Sequence, residues 1–189
     1  MSSISTKLNV SHKAKATVSA KQLTFENAQL NNITSNQIGK SRNILFRDCK
    51  IDELSLKELE IHSIEIIDCE INTLSLDSLK GIGKILVRTS KVDHLSILRN
   101  FGFQSIALEG LIIKDGKILQ NNGCSKSTIS IDLESKKLNK LDVMYNYADQ
   151  FDLMVPGKVR SLHLRRNNFE NIEFKNSNSP HTSVKVKSA

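Results

Sequence analysis

The 189-residue chain has no tryptophan, two prolines, eight glycines and three cysteines. So little proline and glycine excludes a collagen-like or low-complexity chain. Three cysteines, an odd number with no close pair, exclude a disulfide-stapled scaffold, and without a Cys-x-x-Cys spacing nothing indicates zinc. No apolar run approaches the roughly 18 residues that a membrane-spanning helix needs. The start, Met1-Ser-Ser-Ile-Ser-Thr-Lys7, lacks the apolar stretch of a secretory signal, so export by the general secretory route is not expected. What is present is 39% apolar and 25% charged residue, the balance of a chain that folds around a core.

The net charge of +7 is unevenly spread. Residues 1–22 carry Lys7, Lys13, Lys15 and Lys21 and no acid, and residues 155–189 carry seven bases against two acids. Between them, residues 23–154 hold 16 bases and 18 acids. A groove for nucleic acid would concentrate base within the fold; here the body is near neutral. The expected organisation is a flexible basic tail or cap over 1–22, a domain over 23–174 and a flexible tail over 175–189.

The domain is repetitive. Phe25–Ile33, Phe46–Leu54, Ile66–Leu74 and Val87–Leu95 each carry apolar residues at positions one, six and nine, and their starts are 21, 20 and 21 residues apart. Val143–Phe151 and Leu164–Ile172 fit the same template. Each segment opens on an apolar-x-apolar unit (Ile44/Phe46, Ile64/Ile66, Leu141/Val143, Leu162/Leu164), and a second series falls halfway between (Leu54/Leu56, Leu74/Leu76, Phe151/Leu153, Ile172/Phe174). Such alternation describes short half-buried strands. A finer period of five runs through Phe46, Ile51, Leu56, Ile61 and Ile66. Helices need spacings of three and four, so this pattern predicts an all-β fold: a single-stranded parallel β-solenoid, a right-handed β-helix of 20–21-residue coils. One coil cannot bury its apolar side alone, so coils must stack. Residues 98–105, with Gly102 between Phe101 and Phe103, and 120–128 read as interruptions that could carry specificity.

Two families show these features. The period of five, with small residues Ala28, Cys49, Cys69 and Ser90 two places before a central apolar one, resembles a degenerate pentapeptide-repeat protein. The run Leu162-His-Leu164-Arg-Arg-Asn167-Asn-Phe169, and Leu141 to Ala148 with Asn146, resemble the short bacterial leucine-rich repeat, the second choice. The acid-free, Ser/Thr-rich start resembles the leader of type III secreted effectors, which implies synthesis in a bacterial cytoplasm and delivery into a host cell.

Chemistry is sparse. Cys49 and Cys69 fall in equivalent slots and should stack as small buried thiols; Cys124 stands alone. His12, His62, His94, His163 and His181 are scattered, and none is given a role. Asp132, Asp142 and Asp152 point outward ten residues apart; Asp132 and Asp152 share a face, which is thin support for a cation site. Gly81-Ile-Gly-Lys84 lacks the rest of a phosphate loop. No catalytic, cofactor-binding or metal residue is assigned, no cofactor is expected, and the chain is read as no enzyme. Tyr145, Tyr147, Arg160, Arg165 and Arg166 lie off the apolar repeat and form the expected partner-contact patch, because aromatic and arginine side chains anchor interfaces. The expected function is a non-enzymatic scaffold for protein–protein contact. The alternatives are binding of nucleic acid or an acidic membrane through the basic ends, and third a glycan-processing β-helix.

Overall fold

The computed structural model describes residues 15–18, 22–39, 41–155, 158–175 and 186–187. In chain order these form β1 (Lys15–Val18), β2 (Gln22–Glu26), β3 (Gln29–Thr34), a helical turn α1 (Ser35–Ile38), β4 (Asn43–Arg47), β5 (Lys50–Lys57), β6 (Ser63–Ile67), β7 (Glu70–Asp77), β8 (Lys84–Arg88) and β9 (Lys91–Leu98). Then come β10 (Phe101–Leu119), β11 (Asn122–Leu133), β12 (Lys137–Met144), β13 (Tyr147–Met154), β14 (Lys158–Arg165), β15 (Asn168–Lys175) and β16 (Val186–Lys187). The chain winds about seven stacked coils of roughly 21 residues, nearly all parallel β: a β-solenoid, as the repeat predicts.

Each coil gives one strand to each of two stacks. The first stack runs β2, β4, β6, β8, the start of β10, β11, β13, β15; the second runs β3, β5, β7, β9, the end of β10, β12, β14, β16. Register places like on like: Phe25, Phe46, Ile66, Val87, Leu108, Ile131 and Leu153 form one inward column of the first stack. All are buried, and the Phe25 and Phe46 rings stack at 4.8 Å. Removing each such side chain from water contributes about 2 kcal/mol.

The second stack explains the period of five. In β5, Ile51 and Leu54 both point inward while Asp52 and Glu53 both point out, so the strand is bent. A further side follows at the bridge Glu60–Lys80. A coil thus has four short sides, and Phe46, Ile51, Leu56 and Ile61 supply one inward residue to each, none more than 2% exposed. Corners recur about every ten residues where the backbone turns left-handed: Asp48, Asp68 and Thr89 after the first stack, and Glu58, Ser78, Arg99, Gln120, Tyr145 and Arg166 after the second.

Two expectations are corrected. Leu141/Val143 and Leu162/Leu164 lie in the second stack, and Phe151/Leu153 and Ile172/Phe174 in the first, half a coil out of phase with the sequence assignment. The cause is extra length in one coil: Gly116 to Leu141 and Leu108 to Ile131, both register partners across it, are longer than 21 residues. Residues 98–105 are no interruption but an ordinary corner, with Arg99 left-handed and Asn100 and Phe103 buried. Residues 120–128 do hold extra residues, taken up where β11 shifts register between Asn122 and Thr128. Two more lie between Ile131 and Leu141, which are ten apart where their partners Leu108 and Gly116 are eight.

The ends are partly covered. β1 runs antiparallel along β2, and Ser35 in α1 brackets the β5 backbone, its Oγ donating to Lys57 O (2.8 Å) and accepting from Lys57 N–H (2.7 Å). β16 pairs with β14. Covering strand edges in this way blocks pairing with other chains. The rest of the basic segments 1–22 and 175–189 lies outside the described residues apart from Gln22 and Lys175.

Candidate functional site: an aromatic corner and a His–Asp array

The corner that follows the second stack is built on a side-chain ladder. Asn100, Asn121 and Asn146 are buried, and Asn167 continues the column. The Oδ1 of each accepts the backbone N–H of the corresponding residue one coil earlier: Leu79 to Asn100, Asn100 to Asn121, Asn121 to Asn146, and Asn146 to Asn167, each at 3.0 Å. Each Nδ2 donates to a carbonyl of the coil below, Leu76, Ile97, Ile118 and Val143 in turn. Every buried polar group of this inner corner is thereby paired, which fixes the corner's backbone.

The outer side of the same corner is apolar and aromatic. Leu98, Leu119, Met144 and Arg165 stack in register at the end of the second stack, and Phe101, Asn122 and Tyr147 stack at the start of the first. Between them Tyr145 projects from its left-handed position. Phe101, Tyr145 and Tyr147 are 49, 48 and 37% exposed. Arg166 lies over the Tyr145 ring, 5.5 Å from its centroid, and its Nη1 donates to the Tyr145 hydroxyl at 3.0 Å. Four of the five residues expected to form a contact patch, Tyr145, Tyr147, Arg165 and Arg166, therefore come together here. Arg160 does not: it is exposed at the other end of β14. Phe101 belongs to the patch and the sequence reading missed it, having placed it in an interruption.

The outward face of the second stack carries a second constellation. Two columns run across β9, β10, β12 and β14: His94, Asp115, Lys140, Ser161 and, beside it, Ser96, Lys117, Asp142, His163. A half-turn about the centre of this array exchanges histidine with histidine, aspartate with aspartate, lysine with lysine and serine with serine. The two halves differ in closure. Around His163, Nδ1 lies 2.8 Å from Asp142 Oδ1 and Nε2 lies 3.2 Å from Ser161 Oγ, while Lys140 Nζ holds Asp142 Oδ2 at 2.8 Å. Around His94, Nδ1 is 3.5 Å from Asp115 Oδ2. Asp142 is 4% exposed. Burial alone would raise its carboxyl pKa, but the Lys140 and His163 hydrogen bonds outweigh it and hold the group below the ordinary carboxylate range. The signal for this contact was present: Leu141-Asp142-Val143 and Leu162-His163-Leu164 are outward-centred units 21 residues apart, and His163 was given no role.

Other candidates do not assemble. Cys49 and Cys69 occupy the opposite corner as free, buried thiols. The hydrogen bond shared with Cys49, with burial, pushes Cys69 well above the usual thiol range, so it stays neutral. Asp132 and Asp152 share a stack but not a register position: Asp152 pairs with Ser130, and Asp132 with Met154. Burial and the neighbouring Glu134 raise Asp132. No group of three or more His, Cys, Asp or Glu among the described residues could hold a metal ion, and no helix among them is long and apolar enough to cross a membrane.

Fold and corner define the class: a parallel β-solenoid with a stiffened corner that presents aromatic side chains. No protein-family model matches the chain, and neither curated proteins nor solved structures give a match.

Proposed function

We propose that the protein is a binding scaffold that meets a protein partner through its aromatic corner. The observation that carries this reading is the exposure of Phe101, Tyr145 and Tyr147 beside Arg165 and Arg166 on a backbone locked by the asparagine ladder. Aromatic and arginine side chains on a rigid support lose little freedom on binding and favour a tight contact. The near-neutral body fits contact with a protein better than wrapping by a polyanion: outward charges pair between coils, as in Arg88–Glu109 and Lys114–Asp93, both 2.6 Å. The test compares partner recovery from host-cell lysate by the full chain and by a Tyr145→Ala/Tyr147→Ala/Arg166→Glu variant of unchanged thermal unfolding. Recovery by the variant is expected to fall at least about tenfold, the loss of a little over 1.4 kcal/mol of binding. Equal recovery overturns the corner as the contact surface. Binding to nucleic acid that weakens steeply with salt and survives the triple substitution supports the basic ends instead.

A further inference from the structure

The geometry points to Ser161 as a nucleophile activated by His163, itself oriented by Asp142, reactive toward small activated acyl esters and phosphoryl fluorides. Ionised Asp142 can only accept hydrogen bonds, so the 2.8 Å contact requires the proton of neutral His163 to reside on Nδ1. Nε2 then presents a lone pair to the Ser161 hydroxyl, 3.2 Å away, and accepts its hydrogen. Nucleophile, base and orienting carboxylate thus form the order of hydrogen bonds by which serine nucleophiles are activated. Asp142 is fixed on both oxygens, by His163 and by Lys140, so the imidazole has one ring orientation. Ser161 and His163 are two residues apart on one strand and share its outer face. The His163 side chain is 38% exposed, open to a small reagent.

The step balances. Ser161 Oγ attacks the ester carbonyl as its proton passes to His163 Nε2. The carbonyl–oxygen bond to the leaving group breaks, and that proton leaves with the alcohol or phenol. Water then gives a proton to His163 and attacks the acyl-serine, the acyl–Oγ bond breaks, the proton passes from His163 to Ser161 Oγ, and the carboxylic acid leaves. With a phosphoryl fluoride the P–F bond breaks instead and the serine proton leaves with fluoride. Lys140 lies in register with Ser161 and Arg160 precedes it in the chain, so both add positive charge to the neighbourhood in which an oxyanion would develop. The site lies on an open strand face, so the substrate class is defined by reactivity rather than by shape. Outward Ser96, with His94 beside it, is an internal control, because its half of the array is the looser one.

Diisopropyl fluorophosphate and p-nitrophenyl acetate serve as probes of the full chain, with the modified serine located by mass spectrometry. A single adduct on Ser161 is expected, forming at least about 100-fold faster in the folded chain than in denaturant, the scale on which a positioned base acts. His163→Gln is expected to abolish that advantage. For the positioning carboxylate, Asp142→Asn is expected to lose it while Asp142→Glu restores part of it, which a merely structural role would not do. No adduct on Ser161, an adduct formed equally fast by the unfolded chain or by His163→Gln, or equal labelling of Ser96 overturns the proposal. The folded-against-unfolded comparison needs no substitution, so it stands even where a variant fails to fold.

Discussion

The two inner corners of each coil solve one packing problem with different chemistry. After the first stack the corner is filled by small side chains, Ala28, Cys49, Cys69 and Ser90, which occupy little space and bond mainly to their own coil: Cys49 and Cys69 donate to Arg47 O and Ile67 O, each at 3.2 Å. Isolated contacts, such as Cys69 N–H to Ser90 Oγ at 3.0 Å and Cys49 Sγ to Phe25 O at 3.4 Å, reach the neighbouring coil. After the second stack it is leucine at Leu59 and Leu79 and changes to asparagine from Asn100 onward. Leucine gains from apolar transfer alone. Asparagine forfeits that but satisfies donors and acceptors on both neighbouring coils, a gain that exists only while the column is continuous. Three of the four exposed aromatic residues among the described ones, Phe101, Tyr145 and Tyr147, lie on the asparagine part, and the fourth, Phe174, belongs to the first stack. The difference indicates that the ladder is a device for holding the outer corner in one conformation.

The sharpest way to break that comparison is Asn121→Leu. It removes an acceptor at 3.0 Å from Asn100 N–H and at 2.8 Å from Asn100 Nδ2, and a donor at 2.9 Å to Ile97 O. Each buried group left unpaired costs about 1–3 kcal/mol, so a loss of about 4 kcal/mol is expected in denaturant unfolding. A loss below about 1 kcal/mol would mean the ladder follows the fold without supporting it. Leu79 tests the reverse. It is fully buried and its N–H already donates to Asn100 Oδ1 at 3.0 Å. Leu79→Ala should cost about 3 kcal/mol through the cavity it leaves. Leu79→Asn extends the column by one rung and should cost about 1 kcal/mol, its new hydrogen bonds offsetting most of the lost burial. If asparagine proves worse than alanine at 79, the ladder cannot be lengthened and its start is set by backbone geometry.

Much of this architecture was legible because its determinants are local. Apolar alternation and the period of five depend only on which residues face inward, and Phe46, Ile51, Leu56 and Ile61 record that directly. The phase of the C-terminal half was not legible. Both half-coils read as apolar-x-apolar followed by a small residue, so the Asn146 and Asn167 corners were matched to those of Cys49 and Cys69, which the fold places opposite. One lengthened coil suffices to exchange them, and pattern cannot reveal it when the two halves look alike. Tyr145, Tyr147, Arg165 and Arg166 were found because residues off an apolar repeat must be outward. Their neighbour Phe101 was hidden by the reading of 98–105 as an interruption. The His163–Asp142 contact depends on register between strands 21 residues apart in sequence.

A smaller, pH-dependent effect separates the outer rim of the ladder corner from its interior. Arg99 stands beside Asn100, and its Nε donates to Asp77 Oδ1 at 2.9 Å. That hydrogen bond, with help from Ser78, holds the Asp77 carboxyl below the ordinary carboxylate range against the opposing effect of burial. A carboxylate whose folded pKa is depressed contributes stability above its unfolded value, about 3.9, and loses it as pH falls from there through the folded pKa. Arg99→Met should therefore destabilise the protein at neutral pH and progressively less as the solution is acidified below about pH 4. A pH-independent difference between the two proteins would show that Arg99 acts by packing alone. Asn121→Leu, which involves no titrating group, should by contrast cost the same at both ends of that range.

The smallest expected effect concerns the backbone that both corners share. From Glu58 onward the corner residues after the second stack are left-handed and none is glycine: Glu58 has φ 55°, Gln120 has φ 57°, and Tyr145 has φ 59°. Among the described residues after the first stack the same position is glycine at Gly110, with φ 58°. A side chain with a Cβ costs roughly 1–2 kcal/mol in this conformation, and the greater freedom of glycine in the unfolded chain returns about 0.5–1 kcal/mol of that. Glu58 is exposed and makes only a 3.3 Å ion pair with its neighbour Lys57. Glu58→Gly should thus raise stability by about 0.5 kcal/mol, whereas Gly110→Ala should lower it by about 1 kcal/mol. The space at 110 is open enough, since an added Cβ would meet Glu134 Oε1 at 3.4 Å, so that loss would report conformation rather than a clash. If Glu58→Gly destabilises, the left-handed corner is held by something the side chain supplies. Tyr145, placed at the corresponding point of a later coil, would then be retained for its support of the corner as well as for its exposed ring.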